Sequence, residues 1–134
     1  MAPVNLKWIR ETVTTADAPA AVGPYSQAVC AGPLVFCSAQ LGLIPGKKEF
    51  AGTTVAEQTR QVMENLAAIL ENAGSSLEMI LKTTVYLDDI ADFPEFNEVY
   101  GSFFDTAPPA RATFQARALP LGALVMIEAI ALRD

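Results

Sequence analysis

Between positions 55 and 73, apolar or small residues return mostly at three- and four-residue steps: Val55, Thr59, Val62, Leu66, Ile69, Leu70 and Ala73. That period is the face of a helix, so the pattern predicts one amphipathic helix over this stretch. Thr54 followed by Glu57 has the spacing of a capping box, and Gly74 stands where such a helix stops. A second helix is predicted from Phe93 to Phe104, with Asp92 as N-cap and Pro94 in its first turn. Its buried side would carry Phe96, Val99, Tyr100 and Phe103.

The other periodic segments read as extended: Lys7 to Val13, Ser26 to Cys30, Leu34 to Ser38, Met79 to Leu87, Arg111 to Arg117 and Leu124 to Leu132. Gly32-Pro33 is a hairpin-type turn between the second and third. Three strands, a helix, a strand, a helix and two strands suit an α+β fold of two layers, a mixed sheet with both helices on one face. No repeat, low-complexity tract or linker interrupts the 134 residues, so positions 1–134 are expected to form a single domain.

In that arrangement the far face of the sheet should be polar. Yet in the last strand Leu124, Met126, Ile130 and Leu132 alternate with Val125, Ile127, Ala129 and Ala131, so both faces are apolar. Two helices cover one side only. The simplest cover for the other is the same face of neighbouring copies, which gives a closed ring.

Composition supports this reading. With 51% hydrophobic and 18% charged residues, the chain is too apolar for disorder and slightly rich for a globular monomer. A formal net charge of -6 repels phosphate backbones, which argues against a nucleic-acid partner. No basic start leads into an apolar run of signal-peptide length, and no apolar stretch approaches the ~20 residues of a membrane span, so a cytosolic protein without membrane contact is expected. Cys30 and Cys37 allow one bridge, but in a cytosolic chain the commoner state is reduced and buried. The absence of histidine removes Ser-His-Asp and Cys-His nucleophile systems and the usual zinc and haem ligand sets. Catalysis would have to run on carboxylates, Arg, Lys, Tyr, hydroxyls, thiols and backbone groups.

Three positions stand out against this background. Glu128 is the single ionisable residue of the Leu124 to Leu132 strand. It is either an edge position facing water or a carboxylate that must be paired or hydrogen-bonded to bear its desolvation. Arg111 shares a strand face with Thr113, Gln115 and Arg117 and is expected close to the neighbour of the Glu128 strand. A guanidinium on a rigid strand after Pro108-Pro109 suits a two-bond grip on a carboxylate, although an ordinary structural salt bridge is commoner among sequences at large. Tyr25 follows the Gly23-Pro24 turn, which either presents its hydroxyl to a cleft or buries it on a backbone group. These residues alone name no reaction.

Several blocks, however, resemble the RidA/YjgF family. They are Ala18-Pro19, Gly23-Pro24-Tyr25-Ser26-Gln27-Ala28, and Leu34-Val35-Phe36-Cys37 leading into Ser38-Ala39-Gln40. Gln61 to Asn65 and Leu70 to Gly74 are similar to the family's first helix, and Asp92-Phe93 with Asn97, Tyr100 and Phe103-Phe104 to its second. Pro109-Ala110-Arg111-Ala112 and Ile127-Glu128-Ala129-Ile130-Ala131 complete the series, which runs in the family's order from about Ala18 to the C-terminus.

The resemblance implies a chorismate-mutase-like fold assembled as a homotrimer with clefts at its interfaces. It implies an enzyme, a 2-iminobutanoate/2-iminopropanoate deaminase, that hydrolyses imino or enamine acids such as 2-aminoacrylate to 2-keto acids and ammonia without metal or cofactor. By position Arg111 would grip the substrate carboxylate, Glu128 would be the acidic site residue, and Tyr25 the tyrosine after the turn. Ser38, Asn97 and Thr113 would complete the substrate contacts. Thr113 stands where many members have cysteine, Ala39 where a Ser-Gly-Gln glycine is usual, and Met126 where many have a first glutamate. The added methyl of Ala39 narrows the pocket if the backbone there approaches the ligand. Two rival functions remain open: a non-catalytic module that binds small carboxylic acids on the same fold, and a ribonuclease or translation inhibitor.

Overall fold

A computed structural model describes residues 9–134. Helix α1 runs Val55–Asn72 under the capping box read from the sequence: Thr54 Oγ1 accepts from the Glu57 backbone, and the Glu57 carboxylate accepts from the Thr54 backbone. It ends at Ala73, and Gly74 takes the left-handed φ of +83° that a side chain would resist. Helix α2 is shorter than its apolar spacing suggests, Phe93–Gly101, with Phe96, Val99 and Tyr100 buried. Asp92 does not cap it through its side chain. The reason lies upstream: Ile90–Asp92 already forms a 3-10 turn, and the cap belongs to Asp89, whose carboxylate accepts from Ala91 N at 2.9 Å.

The strands are β1 Glu11–Val13, β2 Ala28–Ala31, β3 Leu34–Leu41, β4 Ile80–Leu87, β5 Ala110–Gln115 and β6 Val125–Leu132. Lys7 and Trp8 of the expected first strand lie outside the described residues. Gly32-Pro33 does join a two-residue hairpin, with Ala31 opposite Leu34 and Gly32 at φ 55°. β5 stops at Gln115, short of Arg117, and Gln115 turns its amide oxygen to Ile90 N.

All six strands form one mixed sheet in the order β1-β2-β3-β6-β4-β5, antiparallel except for the β4–β5 pair. The parallel pair is joined through α2, the crossover that parallel strands require. Both helices lie on one face. Val62, Met63, Leu66, Ile69 and Leu70 of α1 and Phe96 of α2 share a core with Val35, Val85, Ile127 and Ala131 of the strands. Each such large side chain withdrawn from water contributes roughly 1.5 to 3 kcal/mol.

The doubly apolar β6 behaves as its alternation implies. Val125, Ile127, Ala129 and Ala131 are buried beneath the helices. Met126, Ile130 and Leu132 look the other way, where Phe36 and Phe114 stay 44% and 46% exposed. Nothing among the described residues covers this second face. Cys30 and Cys37 are unbridged and buried on neighbouring strands. No helix among the described residues is long and apolar enough to cross a membrane.

Candidate functional site

β6 sits inside the sheet between β3 and β4, so Glu128 is not at an edge. It stands half-buried on the open face, opposite Thr84 of β4. On the β3 side the pairing jumps from Cys37↔Ala129 to Gln40↔Ile127. Ser38 and Ala39 therefore both oppose Glu128, a bulge that bends β3 beside the one carboxylate of the strand. Ser38 is fixed there, its hydroxyl donating to Ser26 O at 2.6 Å and its amide to Gln27 O at 2.9 Å.

Across β4 the Tyr86 hydroxyl donates to Glu128 Oε1 at 2.5 Å. That bond, then burial, pushes the Tyr86 pKa above its ordinary 10.0, so the phenol remains a donor at neutral pH. Phe114 buttresses the Tyr86 ring edge-on, at 4.9 Å between centroids and 78° between planes. A cavity of about 570 Å³ opens beside Glu128, lined also by Tyr25, Ser38, Ala39, Leu121 and Met126. Tyr25 is 46% exposed, and its oxygen accepts from Val22 N at 3.3 Å. Both readings of Tyr25 thus hold in part: it contacts the backbone and lines the cavity.

Arg111 lies elsewhere. It pairs with Thr83, which is fully buried under α2 and shares a 2.7 Å hydrogen bond with the Tyr100 hydroxyl, so Arg111 shares the helix face. Its Nη1 donates to Asn97 Oδ1 at 2.8 Å. The guanidinium carbon is 5.0, 5.4 and 5.6 Å from the ring centres of Tyr100, Phe93 and Phe96. Such contacts hold a cation without neutralising it. The ion pairs among the described residues are Lys47–Glu49 and Arg133–Glu11, so no structural salt bridge occupies Arg111. It lines a hollow of about 520 Å³ with Asn97, Phe104 and Pro109. Thr113, two residues further along the same strand, has its hydroxyl buried without a hydrogen-bond partner.

The residues singled out from the sequence therefore fall into two groups: Tyr25, Ser38 and Glu128 on the open face, and Arg111, Asn97 and Thr113 on the helix side. Arg111 does lie beside the neighbour of the Glu128 strand, since β5 pairs with β4 and β4 with β6. Within one chain the cation and the carboxylate point to opposite sides of the sheet. Sequence reasoning also missed Tyr86 and the aromatic cradle of Arg111. Finding Tyr86 required the strand order, and Phe93, Phe96 and Tyr100 carry the spacing of ordinary helix-core positions.

Residues 15–133 match the family described as Endoribonuclease L-PSP. The chain is 48% identical over 122 residues to Reactive Intermediate Deaminase A, chloroplastic, of Arabidopsis thaliana, covering 91% of this chain but only 65% of that relative's length. It is 42% identical over 125 residues to the human 2-iminobutanoate/2-iminopropanoate deaminase, covering 93% of this chain and 91% of that one. Its fold is similar to the crystal structure of E. coli TdcF with bound serine, with a TM-score of 0.88, 40% identity, and coverage of 92% of this chain and 99% of that one.

Proposed function

The chain belongs to the RidA/YjgF family, described also as endoribonuclease L-PSP, and from that premise we propose that it is an enzyme that hydrolyses 2-imino acids to 2-keto acids and ammonia. The observation that carries this reading is Arg111. A cation oriented by Asn97 and three aromatic rings, with no carboxylate partner among the described residues, is a ready grip for the carboxylate of an incoming acid. A relative crystallised with serine, itself an amino acid, agrees with that.

The chemistry asks little more. The carbon of a C=N bond is electrophilic, more so once its nitrogen is protonated. Arg111 would hold the acid, and Glu128 would orient a water and take its proton as the oxygen adds to carbon. Glu128 would pass that proton to nitrogen, and as the C–N bond breaks and ammonia leaves, the carboxylate would take the remaining hydroxyl proton so that the C=O bond forms, then release it to the departing ammonia. Tyr25 would close the pocket and supply a hydroxyl. Because Arg111 and Glu128 face opposite sides of one sheet, the working site would combine the Arg111 side of one copy with the Glu128 side of another. A homotrimer closed over the apolar open face would supply three such clefts.

The family's description as an endoribonuclease raises ribonuclease activity. A chain of net charge -6 without histidine is poorly suited to it, since phosphate binding rests on Lys and Arg. The deciding experiment measures ammonia and pyruvate released from freshly generated 2-iminopropanoate. Release no faster than in buffer alone would leave the carboxylate-binding module as the better reading.

A further inference from the structure

The cavity beside Glu128 does not end there. It runs into a second hollow, also about 570 Å³, and Pro19, Val22, Leu43 and Leu121 line both. Around the first hollow Glu128 is the sole ionisable group apart from the Tyr25 phenol, and beyond Ser38 the walls are mostly apolar. Lys47 and Lys48 stand only along the second.

Leu121 lines both hollows. It is the one non-glycine residue among those described with a left-handed backbone, at φ 59° and ψ 18°, and its side chain is 68% exposed. Gly or Asn would satisfy such a turn with less strain. A leucine that bears the strain yet fills no core leaves its apolar surface free for something that arrives in the trough.

We infer that this trough is the subsite for the side chain of the substrate, and that it selects 2-imino acids with branched or aromatic apolar side chains over those with a methyl or a charged one. The inference rests on the reading of the Glu128 cavity as half of a deaminase site. A methyl group would leave nearly all of the apolar lining wet, whereas an isobutyl or benzyl group would cover Val22, Leu121 and Met126. An acidic side chain would meet Glu128 as a like charge, and a basic one would engage the carboxylate the chemistry needs.

The test compares 2-iminopropanoate, 2-imino-4-methylpentanoate and 2-iminoglutarate, freshly generated, on the assembled protein. The isobutyl substrate should exceed the methyl one in kcat/KM by about tenfold or more, with 2-iminoglutarate below both. Leu121→Asn, which accepts the left-handed backbone, should bring the isobutyl-to-methyl ratio close to one. Calorimetry with the stable products, 4-methyl-2-oxopentanoate and pyruvate, reads the subsite without turnover and should show the same preference. Equal or reversed preference in both measurements overturns the inference and leaves deamination standing. No turnover of any imino acid, with 4-methyl-2-oxopentanoate still bound tenfold more tightly, overturns deamination and upholds the subsite. Failure to bind either product while turnover shows no preference also overturns it.

Discussion

Tyr86 donates its hydroxyl proton to Oε1 of Glu128 at 2.5 Å, and Phe114 holds the Tyr86 ring from the side. One carboxylate oxygen is thus fixed by the protein's own phenol, and the other has no hydrogen-bond partner among the described residues. The residue that satisfies Glu128 on the open face is also the residue that sets its direction.

Tyr86→Phe keeps the ring and its contact with Phe114 and removes only the donor. A hydrogen bond to a charged group is worth about 1.5 to 3 kcal/mol, so looser placement of Glu128 should lower kcat on the order of tenfold. KM should change little, because the Tyr86 hydroxyl is engaged by Glu128, while the proposed grip on the substrate carboxylate belongs to Arg111. Steady-state kinetics separate the two. A rise in KM at constant kcat would mean that Tyr86 binds substrate rather than positions the carboxylate.

The alkaline limit of stability should begin with a thiol. Burial, helped by the neighbouring Cys30, pushes Cys37 from its ordinary 9.0 to about 12. A raised pKa means that the folded state holds the proton more tightly than the unfolded one. The resulting stability is complete below pH 9 and is lost as pH rises from 9 to about 12, by at most about 1.4 kcal/mol per unit. Tyr86 and Tyr100, both raised above 10.0, act in the same direction only at higher pH. Urea midpoints measured between pH 8 and 10 should therefore fall for the wild type and stay flatter for Cys37→Ala. Parallel slopes would remove Cys37 as the cause.

How much of this could be read from the chain depends on the range of the interaction. The α1 capping box, the Gly32 hairpin and the two-faced apolarity of β6 are local, set by spacings of a few residues, and the structure has each of them. Strand order is not local. The antiparallel insertion of β6 between β3 and β4 joins segments that are distant along the chain, and without it neither the Tyr86–Glu128 bond nor the bulge at Ser38 and Ala39 has a sequence signature. Glu128 is conspicuous as the one charge of an apolar strand, and Arg111 as a guanidinium on a strand behind Pro108-Pro109. That they face apart depends on β4 lying between their strands, which no periodicity records.

Arg111→Ala should abolish useful turnover and leave the fold intact, since the residue bears no structural ion pair among the described residues. Two charge-assisted bonds to a carboxylate, each worth roughly 1.5 to 3 kcal/mol, correspond to at least about a hundredfold in kcat/KM. Arg111→Lys should recover only part of this, because a point charge cannot reproduce a planar fork resting on three rings. Near-wild-type kinetics for the alanine variant, with circular dichroism confirming the fold, would end the role of Arg111 as carboxylate anchor.

Because Arg111 and Glu128 lie on opposite faces of one sheet, the proposed site is divided between copies, and that can be tested by mixing. Glu128→Gln keeps shape and hydrogen bonding but cannot take a proton, so alone it should be nearly inactive, as should Arg111→Ala. If each working cleft joins the Glu128 side of one copy to the Arg111 side of another, a cleft is intact when an Arg111→Ala copy supplies the first and a Glu128→Gln copy the second. Unfolding an equal mixture and refolding it together makes that combination about one in four by chance, so activity should return to roughly a quarter of wild type in a closed ring with equivalent interfaces. The two variants refolded separately and then mixed should show no such recovery until subunits exchange. Light scattering on the same samples should report three copies per particle. Full assembly with no recovered activity would place both residues in one copy's site and would contradict the two-sided arrangement of Arg111 and Glu128.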